Sequence, residues 1–222
     1  MLGHPKKSLC TMLVEDHASF RQALAFVLGR EPGFEVVAQA GSLAEARQVL
    51  EGVDVAIVDL ALPDGNGADL IDDLHRYNPG VVVLVLSATL DQKNLVSAVE
   101  TGAAGVLDKL ADLDEIVGAV RRLKAGQAIP QQQKVVRVLR LLGERGDRER
   151  EQLTAVGELT SREREVIQAL AEGLDSEGVA EKLGISIEEE RSSVTSIFGK
   201  LGVRSRLQAL AVASRQGIVE IP

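Results

Sequence analysis

Five short apolar runs, separated by stretches of helical periodicity, constrain what this chain can fold into more than any other feature. The runs are LCTMLV (9–14), FEVVA (34–38), VDVAIVD (53–59), VVVLVL (81–86) and AGVLD (104–108). They are rich in β-branched residues, and VVVLVL is apolar throughout. Such strands belong in a parallel sheet covered on both faces. Between and after them the spacing predicts helices over about 17–30, 42–51, 67–78, 91–102 and 112–125. Ser42, with Glu45 three residues on, reads as a capping box. Five strand–helix units imply a five-stranded, doubly wound parallel sheet, an α/β fold whose sites lie at the carboxyl ends of the strands.

The pattern changes after residue 126. In the segment QQQKVVRVLRLLGERGDREREQ, Val135, Val138, Leu139 and Leu142 keep helical spacing until Gly143 and Gly146. This reads as a helical linker over 127–153, and a solvated spacer is the plainer alternative. From 154 to 222 four short helices are expected, near 161–172, 176–183, 187–200 and 206–216, forming a second, smaller all-α domain. Thr160 and Glu163 make another capping box, and Gly173, Gly184 and Gly202 stand where helices should stop.

Aromatic residues are 2% of the chain and Trp is absent, so the core must be aliphatic. No apolar run is long enough to cross a bilayer, and MLGHPKKS lacks the apolar stretch of a signal peptide. The single Cys10 excludes an intramolecular disulfide and suits the start of a buried strand in a reducing cytoplasm. The net charge of −8 divides as −7 through Pro130, +2 over 131–153 and −3 from Thr154 onward. The last part therefore lacks the basic footprint usual in a nucleic-acid-binding domain.

Glu15 and Asp16 follow the first run directly, and Asp59 ends the third, so all three belong at one edge of a parallel sheet. Converging carboxylates need a hard cation, and oxygen ligands with room for water suit Mg²⁺. Asp59 beside such an ion could act as a nucleophile toward a phosphoryl donor. Ser87 and Lys109 end the fourth and fifth runs and offer the hydroxyl and ammonium that a bound phosphoryl group needs. Taken singly, Glu15, Asp16 and Ser87 could be helix caps and Lys109 a surface lysine. Five such residues at the ends of four strands are harder to assign to chance.

LVEDH, VAIVDLALPDGNG, VLSA and AAGVLDK resemble the flavodoxin-like receiver domains of response regulators, over roughly residues 9–126. The resemblance implies Asp59 as phosphoacceptor, Mg²⁺ held by Glu15, Asp16, Asp59 and the Ala61 carbonyl, Ser87 as the switch hydroxyl and Lys109 as the family's lysine. His17 resembles the NarL/FixJ subgroup and is expected to be an exposed loop histidine without a catalytic role. Val106 departs from the family, where an aromatic residue usually stands. Val cannot flip between pockets, so transmission of a phosphorylation signal should differ here.

LTSREREVIQALAEGL (159–174), VAEKLGIS (179–186) and GKLGVRSRLQALAVA (199–213) resemble the LuxR-type helix-turn-helix. The resemblance implies a scaffold helix over 176–183 and a recognition helix over 187–200, with Arg191, Ser192, Thr195 and Ser196 as candidates for DNA contact. Lys200, Arg204 and Arg206 are candidates for backbone phosphates. IEEER (187–191) departs from the family's polar–Thr–Val–Lys run. Glu190 falls on a core-facing Val, where an unpaired carboxylate would cost several kcal/mol, so it must be exposed, neutral or paired. Glu188 and Glu189 suit the helix dipole but oppose approach to phosphates, and Gly178 inside the scaffold helix costs about 1 kcal/mol relative to Ala.

The expected function is transcription control by a response regulator, phosphorylated on Asp59 by a sensor histidine kinase and binding double-stranded promoter DNA as a homodimer when active. The alternative is a regulator acting by dimerisation or protein–protein interaction, with little sequence-specific DNA binding. An enzyme is not expected. Phosphohydrolases of the aspartyl-phosphate type carry a second Asp two residues after the nucleophile, where Ala61 stands, and no GxGxxG follows the first strand.

Overall fold

The chain alternates strand and helix through its first half. β1 (Leu9–Val14), α1 (Ala18–Arg30), β2 (Phe34–Ala40), α2 (Leu43–Ala46) and β3 (Val55–Asp59) come first. A two-residue hairpin, β4 (Ala61–Leu62) and β5 (Gly65–Asn66), leads to α3 (Ala68–Tyr77), β6 (Val82–Ser87), α4 (Gln92–Glu100), β7 (Gly105–Asp108) and α5 (Leu113–Lys124). Four further helices follow: α6 (Ser161–Ala171), α7 (Ser176–Leu183), α8 (Ile187–Leu201) and α9 (Arg206–Arg215). This computed structural model describes residues 8–88, 92–127, 129, 135 and 159–220.

The main sheet has the order β2-β1-β3-β6-β7. β1 runs parallel to β2 and β3, and β3 parallel to β6. All five residues of β3 are buried, as a strand covered on both faces requires. The covering helices turn apolar stripes inward, with Leu70, Ile71 and Leu74 on α3 and Ile116, Val117 and Val120 on α5 all buried. Because β1 reverses its order of neighbours between β2 and β3, the carboxyl ends of β1 and β3 open a crevice at the sheet's switch point.

Three local features differ from the sequence reading. β2 runs on to Ala40, with its register to β1 shifting between Thr11 and Met12, so that Val37 has no partner there and stays exposed. α2 is a single turn, because Gln48 and Val49 donate to the carbonyls three residues back and tighten the helix to a close. Ser42 does cap α2 by accepting from the Glu45 N–H at 3.2 Å, yet the Glu45 carboxylate reaches the Gly41 N–H at 2.6 Å instead of completing a box. The box at Thr160 and Glu163 forms as expected, and Ser186 with Glu189 forms another.

The inferred linker helix lies outside the described residues apart from Val135, which is helical and buried. The chain clusters into two compact units, Met1–Thr89 with Leu107–Arg121, and Leu90–Val106 with Arg122–Pro222. Within the second unit α6, α7 and α8 pack around Val166, Ile167, Val179 and Ile197, with Leu207 and Leu210 of α9 closing the core. In the same unit α9 lies against α4. Ser205 Oγ donates to the Ala103 carbonyl at 2.8 Å, Gln208 Nε2 to the Glu100 carbonyl at 2.7 Å, and Arg215 pairs with the Glu100 carboxylate at 3.0 Å. No helix among the described residues is long and apolar enough to cross a membrane.

Candidate functional site

The crevice at the ends of β1, β3, β6 and β7 gathers the residues that their positions suggested. Glu15 and Asp59 are buried. Lys109 stands between them, its ammonium donating to Asp59 Oδ2 at 2.6 Å and to Glu15 Oε1 at 2.8 Å, with Asp16 Oδ1 at 3.9 Å. The other Asp59 oxygen accepts from the Ala61 N–H at 3.1 Å. Ser87 is buried at the end of β6, and its carbonyl accepts from the Lys109 N–H at 3.0 Å, which fixes the two residues to each other through the backbone.

The hairpin beside Asp59 explains the LPDGNG sequence. Gly67 N–H donates to the Leu60 carbonyl at 2.9 Å, and a Cβ on Gly67 would overlap the Asp59 carbonyl oxygen. Only glycine allows the chain to pass that close. Asp64 accepts from the Leu43 and Ala44 N–H groups at 2.8 and 2.9 Å, which holds its carboxyl below the usual carboxylate range, and Asn66 accepts from Ala68 at 2.9 Å. The hairpin's side chains thus cap both α2 and α3.

The electrostatics are those of an anionic cup. Three carboxylates face one ammonium, a deficit that a divalent cation would fill. Burial alone would lower the Lys109 ammonium, but the hydrogen bonds to Asp59 and Glu15 raise it above its usual value. Burial likewise opposes ionisation of Asp16, and hydrogen bonds with Glu15 and His17 outweigh it and hold that carboxyl low. Among the described residues Glu15 Oε2 is buried and has no hydrogen-bond partner. A buried orphan oxygen beside a converging acidic set fits an oxygen-seeking metal ion. His17 is the exposed loop histidine expected, and its Nδ1 lies 2.6 Å from Asp16 Oδ1 and 3.1 Å from Glu15 Oε1. Its position directly after the acidic pair was the available signal.

The second cluster of candidates lies on α8 and around it. Arg191, Ser192, Thr195 and Ser196 are exposed on α8, and Arg204 is exposed just after it. Thr195 Oγ1 donates to the Arg191 carbonyl at 2.9 Å, a bond to its own helix. Ser196 and Lys200 turn toward Glu163, donating to its two carboxylate oxygens at 2.6 and 2.7 Å. Burial would raise the Glu163 carboxyl, but these bonds and those at Thr160 bring it down to about 2.

Glu190 is buried and pairs with Arg206 at 2.9 Å. The guanidinium also donates to Ser176 Oγ at 3.2 Å and is only 12% exposed. Burial draws Arg206 below its usual value against the opposing charges of Glu190 and Asp175. The charge of Glu190 is therefore spent inside the domain. Glu189 is committed to the Ser186 cap at 2.8 Å. Glu188 remains exposed on the first turn.

Comparison with known proteins gives the same two halves. Residues 11–121 match the model of the response regulator receiver domain, and residues 157–213 match that of bacterial regulatory proteins of the luxR family. The DNA-binding transcriptional activator DevR/DosR of Mycobacterium tuberculosis is 31% identical over 91% of this chain and 92% of its own length. The transcriptional regulatory protein DegU of Brevibacillus brevis is also 31% identical, over 95% and 94%. Among solved structures, the receiver domain of the putative response regulator NarL from Mycobacterium tuberculosis aligns with a TM-score of 0.51 at 28% identity. That match covers 55% of this chain and 99% of the other. The Salmonella typhimurium RcsB response regulator aligns over 94% and 98% with a TM-score of 0.52 at 24% identity, a likeness of fold.

Proposed function

Since this chain belongs to the response regulators that join a receiver domain to a luxR-family output domain, we propose that Asp59 is the phosphoacceptor through which a histidine kinase governs its control of transcription. The domains are taken as 1–126, a linker over 127–153, and 154–222. The observation that supports this most is the Lys109 bridge between Asp59 and Glu15 in a crevice at the carboxyl ends of the strands.

In the transfer a carboxylate oxygen of Asp59 attacks the phosphorus of a phosphohistidine. A P–O bond forms as the P–N bond breaks, and the imidazole leaves with its electron pair and takes a proton. Lys109 remains beside the transferred group and balances its charge. Ser87, tied to Lys109 through the backbone, supplies a hydroxyl to a phosphoryl oxygen. Glu15, Asp16, Asp59 and the Ala61 carbonyl would hold Mg²⁺, which when bound offsets the phosphoryl charge. Incubation with phosphoramidate and Mg²⁺ should give an acid-stable, base-labile phosphoprotein. Labelling that survives Asp59→Asn would refute the assignment.

The output domain then binds promoter DNA as a homodimer through α8. Arg191, Ser192 and Thr195 face solvent there, with Arg204 nearby for a phosphate. Internal pairing of Glu190 with Arg206 compensates one of the three negative charges that oppose groove entry. The exposed Glu188 and the net charge of −3 favour a second reading, a regulator working through protein contacts alone. Failure to enrich any specific DNA fragment, with or without a phosphoaspartate mimic, would favour that reading.

A further inference from the structure

Glu15, Asp16, His17 and Asp59 each offer a ligand atom, and these atoms all lie within 4.8 Å of one another. The acidic members account for a hard cation, but they leave the imidazole unexplained. His17 is two-thirds exposed, so packing does not hold it in place. Its Nδ1 is nevertheless drawn over the cup, 2.6 Å from Asp16, 3.1 Å from Glu15 and 3.3 Å from the Lys109 ammonium. Carboxylates only accept, so at these distances Nδ1 carries a proton and donates it to Asp16 and Glu15. A metal ion that displaced this proton would meet the imidazole nitrogen in the same small space as the carboxylate oxygens. Beneath it Glu15 Oε2 is buried without a partner among the described residues. The set is one nitrogen with several oxygens, around residual negative charge.

We propose that His17 is an additional side-chain ligand of this site, used by first-row transition ions such as Co²⁺ or Ni²⁺ and left aside by Mg²⁺. The inference rests on the reading of the Asp59 crevice as the receiver's metal site. Imidazole suits ions on the rising side of the Irving–Williams order, whereas Mg²⁺ takes oxygen and keeps its waters. The same crevice then has two modes. With Mg²⁺ the ligands are oxygens alone, and with a transition ion His17 closes over the site from its exposed side. A ligand on that side would stand where a phosphodonor approaches Asp59. A bound transition ion is thus expected to slow phosphorylation.

Calorimetric titration of the full-length protein with Mg²⁺ alone and with Co²⁺ alone tests this, on the wild type, His17→Asn and Asp59→Asn. The cobalt visible spectrum reports the ligands directly. His17→Asn should weaken Co²⁺ binding by about tenfold and shift its d–d bands, while changing Mg²⁺ binding by less than about twofold. Loss of both metals in Asp59→Asn, with unchanged Co²⁺ affinity and spectrum in His17→Asn, would overturn the role of His17 and leave the crevice as the metal site. Undiminished binding of both metals in Asp59→Asn would overturn the site itself and the inference with it. Because His17 is exposed, its replacement leaves the core intact.

Discussion

Glu190 is buried at a position where the resemblance to LuxR-type domains implies an apolar side chain, and the fold accommodates it through the Arg206 guanidinium at 2.9 Å. Both groups have left water, so neither tolerates loss of the other. Breaking a buried pair costs about 3–5 kcal/mol, whereas replacing both members by apolar residues is often neutral or stabilising. Arg206→Met and Glu190→Val should therefore each destabilise the protein by about 3–5 kcal/mol in urea unfolding. The double variant should regain most of that loss, because Arg206 Nη1 is already a buried donor without a partner among the described residues. Additive losses in the double variant would mean that the two charges do not stabilise each other. The need for a partner was legible in the sequence, because a carboxylate on a core-facing position must be exposed, neutral or paired. The partner was not, since sixteen residues separate the two and a basic residue after a recognition helix reads first as a phosphate contact.

Elements here are positioned by side chains that reach from one to another, which local propensity does not reveal. The five strands of the main sheet, α1, α3 and the four output helices follow from hydrophobic period within a residue or two. α2 starts as expected at the Ser42 cap, where Asp64 of the distant hairpin also accepts from its first N–H groups, but its early end, set by tightened backbone bonds, does not follow from period. Gly178, costly in a helix interior, sits in the first turn of α7, where its N–H donates to the Asp175 cap at 2.9 Å and a Cβ would crowd Asp175 and Leu174. Gly67 makes the stricter demand. Gly67→Ala forces the hairpin away from the Asp59 backbone and should lower both thermal stability and the rate of phosphoramidate labelling. Retention of both would show that the hairpin can yield. Glu163 ties α6 to α8 through Ser196 and Lys200, and its carboxyl titrates at about 2 in the folded chain against an ordinary 4.5. A depressed carboxyl contributes stability that is complete above its unfolded value and is lost as pH falls from there toward the folded value. Output-domain stability should therefore decline from about pH 4.5 to about pH 2. Glu163→Gln should flatten that decline, measured by far-UV circular dichroism during acid titration, and lower stability at neutral pH by about 1–3 kcal/mol.

At the scale of the whole molecule, the proposed function requires phosphorylation of Asp59 to alter the behaviour of α8, although Val106 stands where the resemblance to receiver domains implies an aromatic residue. Val106 is buried in β7, and its short branched side chain has one staggered home. The second compact unit does join α4 to α9, through two neutral hydrogen bonds and one exposed ion pair. Interactions of those kinds sum to about 2–3 kcal/mol, small enough for a phosphoryl group to offset. DNA capture should therefore rise when Mg²⁺ and beryllofluoride mimic phosphorylated Asp59, and equal capture without them would mean that Val106 has uncoupled receiver from output. The salt dependence of that capture reports which cations touch the phosphates. Each phosphate neutralised contributes roughly −0.9 to the slope of log affinity against log salt. Lys200 is paired with Glu163 and Arg206 with Glu190, whereas Arg191 and Arg204 are exposed; phosphate contacts from these two exposed side chains give a slope of about −2 for each output domain. Arg191→Ala should reduce its magnitude by about 1. A slope near −4 would instead mean that both internal pairs open on the DNA, so that the carboxylates of Glu163 and Glu190 serve as latches on the recognition helix.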